Sequence, residues 1–575
     1  MTRRAGAATG LAREWDAIVV GAGLAGLTSA AYLAAAGRRV LVLEQHDIAG
    51  GNSHVFRRRR RYEFDVGVHY VGDCGADGTV PAILAGLGAR DRVEFREMDP
   101  DCFDRVVLPG LTLDVPASWP EYRARLAKAM PEETTGLDTF TGIVQALGAE
   151  QRAALLAGGE PTLTEMLAMT PTVREWGRRP LAALFDHCGL SARARTVLAA
   201  QSPNYGLSPQ DATVGMHATV IDHYIRGAYF PVGGGQVLAA TLVEALEANG
   251  GALVTRCLVD RLLVRDRTVG GVALADGTEF HAPLVISNAD YRRTMLELVG
   301  EEHLARPVVR KTREARMTLP FATVYVALDR EIARLGGPYS AEAGEANIWW
   351  YDTEDIDDYY RELATGRLPD EVRFLFASFS SLKDPGSRHM CPPGHSNFQL
   401  MTVCPPEYEP WGVSGGPADG VRYRRQEAYR AAKEEFTERV LVAAERLLGP
   451  FRDHVVHLET ATPLTQERYT RSTGGTPYGI ASWGGHGTRP DLGTGIAGLY
   501  AVGQSSRYGS GITGVMVGGM ACAGAVLGRR LMSEVHAGAV IGDPDRLPER
   551  AADWDPLVVS RGVARRSARG LARME

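Results

Sequence analysis

Hydrophobic residues near the start of the chain form two short runs, Ala17–Val20 and Val40–Leu43, separated by glycines and a small apolar stretch. Short, continuous apolar runs are typical of strands that are buried on both faces of a parallel sheet. Parallel strands need a crossover connection, and the alanine- and leucine-rich stretch between the runs predicts a helix in that role. The pattern therefore predicts a β-α-β unit.

Three glycines occupy the turn between the first strand and the helix. Gly21 allows the tight turn, Gly23 lets backbone N–H groups reach a pyrophosphate, and Gly26 lets the helix pack closely on the strand. A phosphate there lies at a helix N-terminus, where unpaired amides and the helix dipole favour an anion. Glu44 lies eighteen residues after Gly26 and can accept both hydroxyls of a ribose, which argues against a 2′-phosphate. The predicted dinucleotide contacts are Gly21, Gly23, Leu24, Ala25, Gly26, Glu44 and Gln45.

A membrane span is the alternative interpretation of residues 17–37, which carry no charge over 21 positions. Three glycines, Thr28, Ser29 and Tyr32 dilute the hydrophobicity of this stretch, and charged residues flank it. A strand, helix and strand of a water-soluble protein fit the pattern better.

Two later parts of the chain return to the same kind of pattern. Residues 229–236 carry three consecutive glycines before a predicted helix at 238–248, and residues 284–289 read as a core strand. Residues 498–504 form another buried strand, and a small-residue helix follows Gly511. The N-terminus of that helix would face N1 and the C2 carbonyl of a flavin, where it favours the negative charge of the reduced ring. A nucleotide-binding domain interrupted twice indicates a flavoprotein.

The predicted fold class is α/β: a two-lobed flavoprotein with a Rossmann-like FAD-binding domain, similar to that of glutathione reductase, and an α+β substrate-binding lobe. The FAD-binding domain is discontinuous and comprises residues 16–110, 229–310 and 461–535. The substrate lobe comprises a helix-rich insert at 111–228 and a mixed insert at 311–460, with strands predicted at 323–328 and 372–378 and a helix at Glu427–Leu448. Residues 1–15 are predicted to be flexible, and residues 536–575 to form a tail.

Composition narrows the possible functions. The chain has 575 residues, 45% of them hydrophobic, and a net charge of −6, so it can bury a large core and is not expected to bind nucleic acid. Its seven cysteines lack the spacing of a zinc site, so we expect no metal and a reducing compartment. No export signal is recognisable, so the cytoplasm is expected. Motifs of serine hydrolases, zinc peptidases and P-loop enzymes are missing from the sequence.

With these segments assembled, the sequence resembles the phytoene desaturase, carotenoid isomerase and retinol saturase family of flavoproteins, the last two most closely. The resemblance covers about 16–73, 229–290 and 461–528. It is carried by motifs in the expected order: Glu44-Gln45-His46, Gly50-Gly51, Phe64-Asp65-Val66-Gly67-Val68-His69-Tyr70, Pro231-Val232-Gly233-Gly234-Gly235, Ala461-Thr462-Pro463-Leu464-Thr465 and Gly503-Gln504. The chain departs from the retinol saturase pattern at Asn52 and Ser53, where that pattern has cysteines, which puts activity on retinol in doubt.

The resemblance implies non-covalent FAD. Glu44 would hold the adenosine ribose, Gly50 and Gly51 would pass close to the phosphates, and Val259 would meet the adenine through its backbone. Residues 65–70 would run beside the flavin ring. The further cofactor residues that it implies are Asn52, Gly503, Gln504, Gly511, Ile512, Thr513 and Gly514.

Flavin chemistry asks the protein chiefly to align a carbon against N5, with a proton donor or acceptor nearby. The catalytic candidates are His69 and Tyr478, with Glu467 and His486 behind them. A structural role for His69 in the core is equally compatible with its position in a strand motif. For Glu467, an ion pair with Arg468 at the lobe boundary is the preferred interpretation.

The expected substrate is a long hydrophobic polyene, such as a carotenoid, a retinoid or a polyenoyl chain, whose C–C double bonds are saturated, desaturated or isomerised. Aromatic residues at 348–351 and 359–360 either line a tunnel for it or pack in the core. The five arginines at 57–61 either form a hairpin tip in water or meet lipid headgroups, and the basic end of the tail has the same two interpretations. A transient membrane or lipid-carrier contact is thus possible, and the oligomeric state stays open.

Two other functions are compatible with the same cofactor fold. One is an enzyme like the flavin amine oxidases or protoporphyrinogen oxidase. The other is a carrier of prenyl groups without redox activity, which the intact cofactor segments disfavour.

Overall fold

The structure is a computed structural model that describes residues 11–157, 163–341, 344–482 and 488–563. Its centre is a parallel sheet of five strands. The strands, in spatial order, are Ala252–Val254, Val40–Leu43, Ala17–Val20, Val285–Ser287 and Leu499–Ala501. The three inner strands are buried at every position, as their continuous apolar sequences predict, whereas each edge strand has one half-buried residue, Ala252 or Tyr500. Each pair of neighbours is parallel. The predicted mixed α/β fold with a Rossmann-like parallel sheet is confirmed.

Small residues allow three helices to pack together beside this sheet. Leu24–Ala35 contacts both Gln236–Ala248 and Gly511–Leu527. A Cβ at Gly519 would lie 2.4 Å from the carbonyl oxygen of Ala25, so only glycine permits this helix-helix approach. The close approach places the N-termini of two helices at the same edge of the sheet.

A second, seven-stranded sheet lies beside the first domain. In spatial order its strands are Val455–Ala461, Phe321–Leu328, Ser396–Val403, Phe374–Ser378, Asn347–Tyr351, Asp104–Leu108 and Leu111–Val115. Neighbours are antiparallel except for Asn347–Tyr351 and Asp104–Leu108. The smaller sheets consist of Val259–Arg265, Thr268–Leu274 and Glu279–His281; Val71–Gly72, Ala228–Pro231 and Phe95–Glu97; Val55–Arg58 and Tyr62–Asp65; and Arg316–Met317 and Ile480–Ser482.

The first insert is helical, as predicted. Its helices are Trp119–Ala129, Thr134–Leu156, Leu163–Met169, Pro171–Trp176, Leu181–His187, Ala192–Leu198 and Val214–Ile225. The other helices are Thr79–Gly86, Tyr291–Arg293, the π-helix Thr294–Gly300, Arg306–Arg313, Ile356–Leu363, Ser380–Lys383, Glu427–Leu448, Pro463–Thr470, Leu531–His536 and Pro556–Val559.

The boundary between the nucleotide-binding domain and the substrate lobe differs from the prediction at one strand. Asp104–Leu108 was expected within the nucleotide-binding domain, which was predicted to extend to residue 110, but it pairs with Asn347–Tyr351 in the second sheet. Pairing partners so far apart along the chain leave no mark on the local hydrophobic pattern.

The C-terminal segment also differs from the predicted tail, because residues 536–563 pack against the parallel-sheet domain. Gln236 Nε2 donates to Ser560 Oγ at 2.7 Å and to the Ala49 carbonyl at 2.9 Å. Trp554 Nε1 donates to Glu244 Oε1 at 2.7 Å. Polar anchors of this kind have no hydrophobic period, which is why the sequence pattern indicated a tail. At the other end, the Trp15 amide donates to the His281 carbonyl, so residues 11–15 are also joined to the domain.

Arg550 anchors the C-terminal segment to the helix Gln236–Ala248 through Glu244. Its guanidinium donates to Glu244 at 2.8 Å and stacks 3.9 Å from the Trp554 ring. Arg550→Met would leave the buried Glu244 with Arg92 as its remaining cation, so we expect a loss of about 2–3 kcal/mol of unfolding free energy, measured by urea denaturation. Arg546→Met removes an exposed pair with Asp543 and should change it by less than about 0.5 kcal/mol. Equal effects of the two substitutions would contradict this account of the C-terminal segment.

Candidate functional site

The carboxyl ends of the five parallel strands open into a cavity of about 1070 Å³. Ligands of open α/β sheets bind in this place, where loops follow the strands. Every predicted cofactor residue except Gly26 lines the cavity: Gly21, Gly23, Leu24, Ala25, Glu44, Gln45, Gly50, Gly51, Asn52, Val259, Gly503, Gln504, Gly511, Ile512, Thr513 and Gly514. The fold thus brings three distant segments of the chain to one site.

Gly26 has a packing role instead. A Cβ there would lie 2.4 Å from the Gly21 carbonyl oxygen, which is backbone and has no room to move. Gly26 therefore sets the distance between the helix and the strand, as the spacing of the three glycines predicts.

Asn288 is a site residue that the sequence analysis did not single out. It follows the strand Val285–Ser287, and added Cβ atoms at Gly23 and Gly503 would lie 2.5 and 2.7 Å from its side-chain amide. A Cβ at Gly51, whose φ is +56°, would lie 3.1 Å from the Cα of Gly23. Gly23, Gly51 and Gly503 therefore leave only backbone atoms close to the Asn288 side-chain amide, and we call this surface the glycine cradle. The available signal was its position directly after a buried strand at the sheet's ligand-binding edge.

Glu44 is held by two backbone amides. Ala22 N–H donates to Oε2 and His46 N–H to Oε1, both at 2.7 Å. Burial raises the pKa of this carboxyl, and the two amides oppose the rise because they stabilise the charged form. The carboxylate is thereby fixed in the cavity wall, with lone pairs left over for a ribose.

Asn52 joins three segments at the position where the chain departs from the retinol saturase pattern. Its Nδ2 donates to Gln504 Oε1 at 3.2 Å and to the Pro477 carbonyl at 3.3 Å. Its Oδ1 accepts from Gln466 Nε2 at 2.5 Å. An amide has the donors and acceptor that this bridge needs, and a thiol does not.

The residues at this end of the cavity fit a dinucleotide. The glycine cradle and the N-terminus of Leu24–Ala35 suit a diphosphate. Thr513 Oγ1, in the first turn of Gly511–Leu527, is buried and has no hydrogen-bond partner in the described part of the chain. A buried hydroxyl without a partner is costly, and a ligand atom would satisfy it.

The opposite end of the cavity is formed by one face of the seven-stranded sheet. Phe321, Thr323 and Tyr325 alternate along one strand and therefore point to the same side. Neighbouring strands add Trp349, Phe376 and Met401 to the cavity wall. Of the two aromatic runs in the sequence, only Trp349 lines the cavity, whereas Tyr351, Tyr359 and Tyr360 pack in the core beside Phe374 and the helical insert.

His69 and Tyr478 both line the cavity. The His69 ring meets the edge of Phe376 at 5.5 Å, and its Nδ1 has no hydrogen-bond partner among the described residues. Burial, followed by the nearby Lys383 charge, lowers the pKa of His69 to about 3. The imidazole is therefore uncharged near pH 7. Burial raises the pKa of Tyr478, so its hydroxyl keeps its proton.

Tyr70 carries a better-connected hydroxyl on the same wall. It donates to Asp104 Oδ2 at 3.0 Å and accepts from Asn204 Nδ2 at 3.1 Å. Its ring stacks on Tyr224 with the centroids 4.0 Å apart, which fixes its orientation. Asp104 is fully buried, and burial raises its pKa to about 7. Burial, followed by the neighbouring Asp104, raises the pKa of Tyr70 well above its ordinary value, so its hydroxyl stays protonated and is hydrogen-bonded to a carboxyl whose pKa is about 7.

Lys383 is linked through Asn347 to the hydrogen bonds of Asp104 and Tyr70. Its Nζ donates to the His69 carbonyl at 2.7 Å, to Ser378 Oγ at 2.7 Å and to Asn347 Oδ1. Asn347 Nδ2 in turn donates to Asp104 Oδ1 at 2.9 Å. Burial lowers the pKa of Lys383 to about 7, while Asp104 opposes this effect. Two buried titratable groups are thus linked through one amide.

The pH dependence of stability reports on Lys383. The unfolded chain keeps the lysine proton up to a pKa of about 10.5, whereas the folded protein releases it near 7. Between these values the unfolded state binds more protons, so this group makes stability rise with pH. We expect the unfolding free energy of the wild type, relative to Lys383→Met, to increase from pH 7 to pH 9 in urea titrations. A difference that stays constant or falls would contradict the pKa assignment.

Glu467 pairs differently from the prediction. It is fully buried and accepts from Arg293 Nη2 at 3.2 Å and from Tyr408 OH at 2.6 Å, whereas Arg468 lies 5.8 Å from the ring of Tyr469. The predicted ion pair between Glu467 and Arg468 is therefore wrong. The two residues are neighbours on a helix, which turns their side chains in different directions. His486, the other reserve candidate, lies outside the described residues.

The arginine-rich hairpin is only partly free. Arg57 bonds Asp555 at 2.6 Å and also Glu63, and Arg58 bonds Glu459 at 2.6 Å. Residues 59–61 at the turn are exposed. Of the tail arginines, Arg561 is described, whereas Arg565, Arg566, Arg569 and Arg573 lie outside the described residues.

The described residues offer neither a metal site nor a membrane-spanning helix. Within the described ranges, no cluster of histidine, cysteine and acidic residues could hold a metal ion, and the seven cysteines are all free. No helix in that same part of the chain is both long and apolar enough to span a bilayer.

Comparison with known proteins identifies the class. Residues 24–527 match the model of the flavin-containing amine oxidoreductases, and the chain belongs to this family, which implies FAD as the cofactor. Among named proteins, it is 28% identical to the all-trans-retinol 13,14-reductase of Rattus norvegicus over 91% of this chain and 87% of that one. It is 26% identical to a chloroplastic prolycopene isomerase of Daucus carota, over 89% and 80% of the two chains. These similarities over most of the chain confirm the resemblance found in the motifs.

Solved structures show the same fold. An oxidoreductase from Methanosarcina mazei superposes with a TM-score of 0.56 at 16% identity, covering 89% of this chain and all of that one. Putrescine oxidase bound to putrescine gives a TM-score of 0.56 at 15% identity, with 90% and 99% covered.

Proposed function

We propose that the protein is an FAD-dependent oxidoreductase that acts on C–C double bonds of a long hydrophobic polyene. The observation that carries this proposal is the single cavity that joins the dinucleotide-binding edge of the parallel sheet to the aromatic face of the second sheet. The similarity to retinol reductases and prolycopene isomerases supports a polyene substrate.

Each end of the cavity has a defined task in this proposal. Glu44 holds the adenosine ribose, the glycine cradle receives the diphosphate, and the loop after residue 503 surrounds the ribityl chain and the ring. The second sheet and both inserts form the substrate-binding lobe. FAD, when bound, supplies hydride transfer at N5. The aromatic wall orients the polyene and excludes water, which keeps reactive intermediates from hydrolysis.

For saturation or desaturation, a proton must also move. We infer that Tyr70 donates or accepts it at its hydroxyl, because this hydroxyl lies on the cavity wall, is hydrogen-bonded to Asp104 and belongs to a ring that Tyr224 holds in place. Tyr478 is a second hydroxyl on the wall, and the uncharged His69 imidazole also lines the cavity. Isomerisation needs no net proton transfer.

The substrate must reach the cavity from a lipid phase or a carrier, because polyenes dissolve poorly in water. The exposed arginines at 59–61 are our candidate for a transient contact with anionic headgroups, in a protein that we place in the cytoplasm or peripherally at a membrane.

The experiment is a product analysis. The purified protein is first tested for FAD by its visible spectrum, then photoreduced without oxygen and incubated separately with all-trans-retinol, prolycopene, phytoene and a polyenoyl thioester. A mass gain of two hydrogens identifies a saturase, and an unchanged mass with a changed retention time identifies an isomerase. Desaturation is tested with the oxidised enzyme, and its product has two hydrogens fewer than the substrate. Failure with all four substrates under these conditions would contradict the proposal.

The same preparation tests the alternative functions. An enzyme like the amine oxidases would release hydrogen peroxide when supplied with amines such as putrescine. A non-catalytic carrier would bind prenyl compounds but would remain colourless after addition of FAD.

A further inference from the structure

Arg489 is a half-buried cation on the cavity wall, and the described residues supply no counter-ion for it. It lies between the strands Ile480–Ser482 and Leu499–Ala501, and its side chain lines the cavity. Its Nη1 donates to the backbone carbonyl of Gln504, but its Nε is buried and has no hydrogen-bond partner in the part of the chain that the structure describes. Within the described ranges, no carboxylate forms an ion pair with it.

Two other arginines, one buried and one half-buried, are neutralised by acids. Arg293 pairs with three carboxylates, and Arg226 with two. The acid closest to Arg489 in sequence, Asp491, instead pairs with Arg507 at 3.4 Å on the surface. Burial lowers the pKa of Arg489 to about 10, so its guanidinium is still charged at neutral pH. A guanidinium that is partly withdrawn from water, with its Nε buried and no acid beside it, is costly, and this points to a bound anion as its partner.

The surroundings of Arg489 indicate where that anion comes from. Gln504, whose carbonyl holds the guanidinium, belongs to the loop that we assign to the cofactor, and the helix N-terminus at Gly511 also faces the cavity. Thr513 Oγ1, in the first turn of that helix, is the second buried polar atom there without a partner in the described structure. A polyene carries no charge, so the expected substrate offers no counter-ion.

We propose that Arg489 is the counter-ion for a negative charge of bound FAD. This inference rests on the proposed function, because it requires FAD in the cavity. FAD offers two such charges, the diphosphate and the reduced isoalloxazine ring. A cation at the diphosphate strengthens binding of oxidised and reduced FAD alike, whereas a cation at the ring favours the reduced form and raises the midpoint potential.

The test replaces Arg489 by Met and by Lys in the full chain and measures the FAD dissociation constant and the midpoint potential of the bound flavin. A rise of at least about tenfold in the dissociation constant at an unchanged potential supports contact with the diphosphate. A fall in potential of about 30 mV or more, equivalent to tenfold for two electrons, supports contact with the ring. Arg489→Lys keeps the positive charge, so its FAD dissociation constant and its midpoint potential should stay close to those of the wild type.

Arg529→Met is the matched control. It removes one arginine charge at the far end of the same helix, where Arg529 pairs with Glu534 on the surface, and should change neither quantity. Arg489→Gln, which can still donate to the Gln504 carbonyl, replaces the Met variant if that protein does not fold, as judged by circular dichroism. Wild-type levels of both quantities in the folded neutral variant would overturn the inference. A wild type that binds no FAD would instead refute the proposed function.

Discussion

Replacing Glu44 by arginine is expected to yield a protein that is purified without flavin and does not take up added FAD. The substitution removes the acceptor of two buried amides, Ala22 and His46, and puts a cation beside them. It also removes the acceptor for the ribose hydroxyls. Hydrogen bonds to a charged group contribute about 1.5–3 kcal/mol each, so we expect FAD binding to weaken by at least about 100-fold. Fluorescence titration of FAD into the purified variant measures this loss.

Two matched variants separate lost binding from misfolding. Glu44→Gln keeps the shape and one acceptor, and we expect it to bind FAD about tenfold more weakly than the wild type. Glu14→Arg makes the same change in charge at a position near the N-terminus, and it should retain full flavin content. A yellow, fully loaded Glu44→Arg protein would refute the assignment of this carboxylate to the cofactor.

Tyr70→Phe is expected to slow the step that consumes the proton by about 100-fold or more, which is the usual contribution of a general acid. The substitution removes one hydroxyl, leaves the stacking on Tyr224 intact and leaves Asp104 without one of its donors. The measurement is the rate at which reduced flavin is reoxidised by whichever polyene the product analysis identifies as a substrate for saturation.

The pH profile distinguishes catalysis from a structural effect. In the proposed mechanism Asp104, whose pKa is about 7, returns a proton to Tyr70 after each transfer, so the wild-type rate should fall as pH rises through that value. Asp104→Asn should remove this dependence. Tyr122→Phe alters another buried tyrosine, which does not line the cavity, and should leave the rate unchanged. An unaltered rate and profile in Tyr70→Phe would exclude the hydroxyl as the donor.

Local pattern was sufficient to predict much of the fold. The continuous apolar runs predict the strands Ala17–Val20 and Val40–Leu43, and helical spacing predicts Glu427–Leu448 with the bounds that the structure has. The predicted strands at 323–328 and 372–378 correspond to Phe321–Leu328 and Phe374–Ser378. These predictions succeed because burial on one or both faces of an element imposes a period on the sequence itself.

The cofactor end of the site could be predicted for a related reason. Glycine spacing and an acid at a fixed distance are local features that a pyrophosphate and a ribose each require. The opposite end of the site could not be predicted from the sequence. The Tyr70 hydroxyl belongs to a hydrogen-bond network with Asp104, Asn347 and Lys383, which come from distant parts of the chain. Burial, rather than residue type, brings the pKa values of the aspartate and the lysine together.

By itself, the sequence determined that three separated segments form a flavoprotein's nucleotide-binding edge, since backbone turns and strand burial leave periodic and glycine-dependent marks on a chain. Only the tertiary structure decided which polar groups face one another across the cavity. It assigned Asp104–Leu108 to the second sheet, gave Glu467 the partner Arg293 and left Arg489 without an acid among the described residues. Charge pairing and desolvation depend on distances between residues far apart along the chain, and no local pattern encodes those distances.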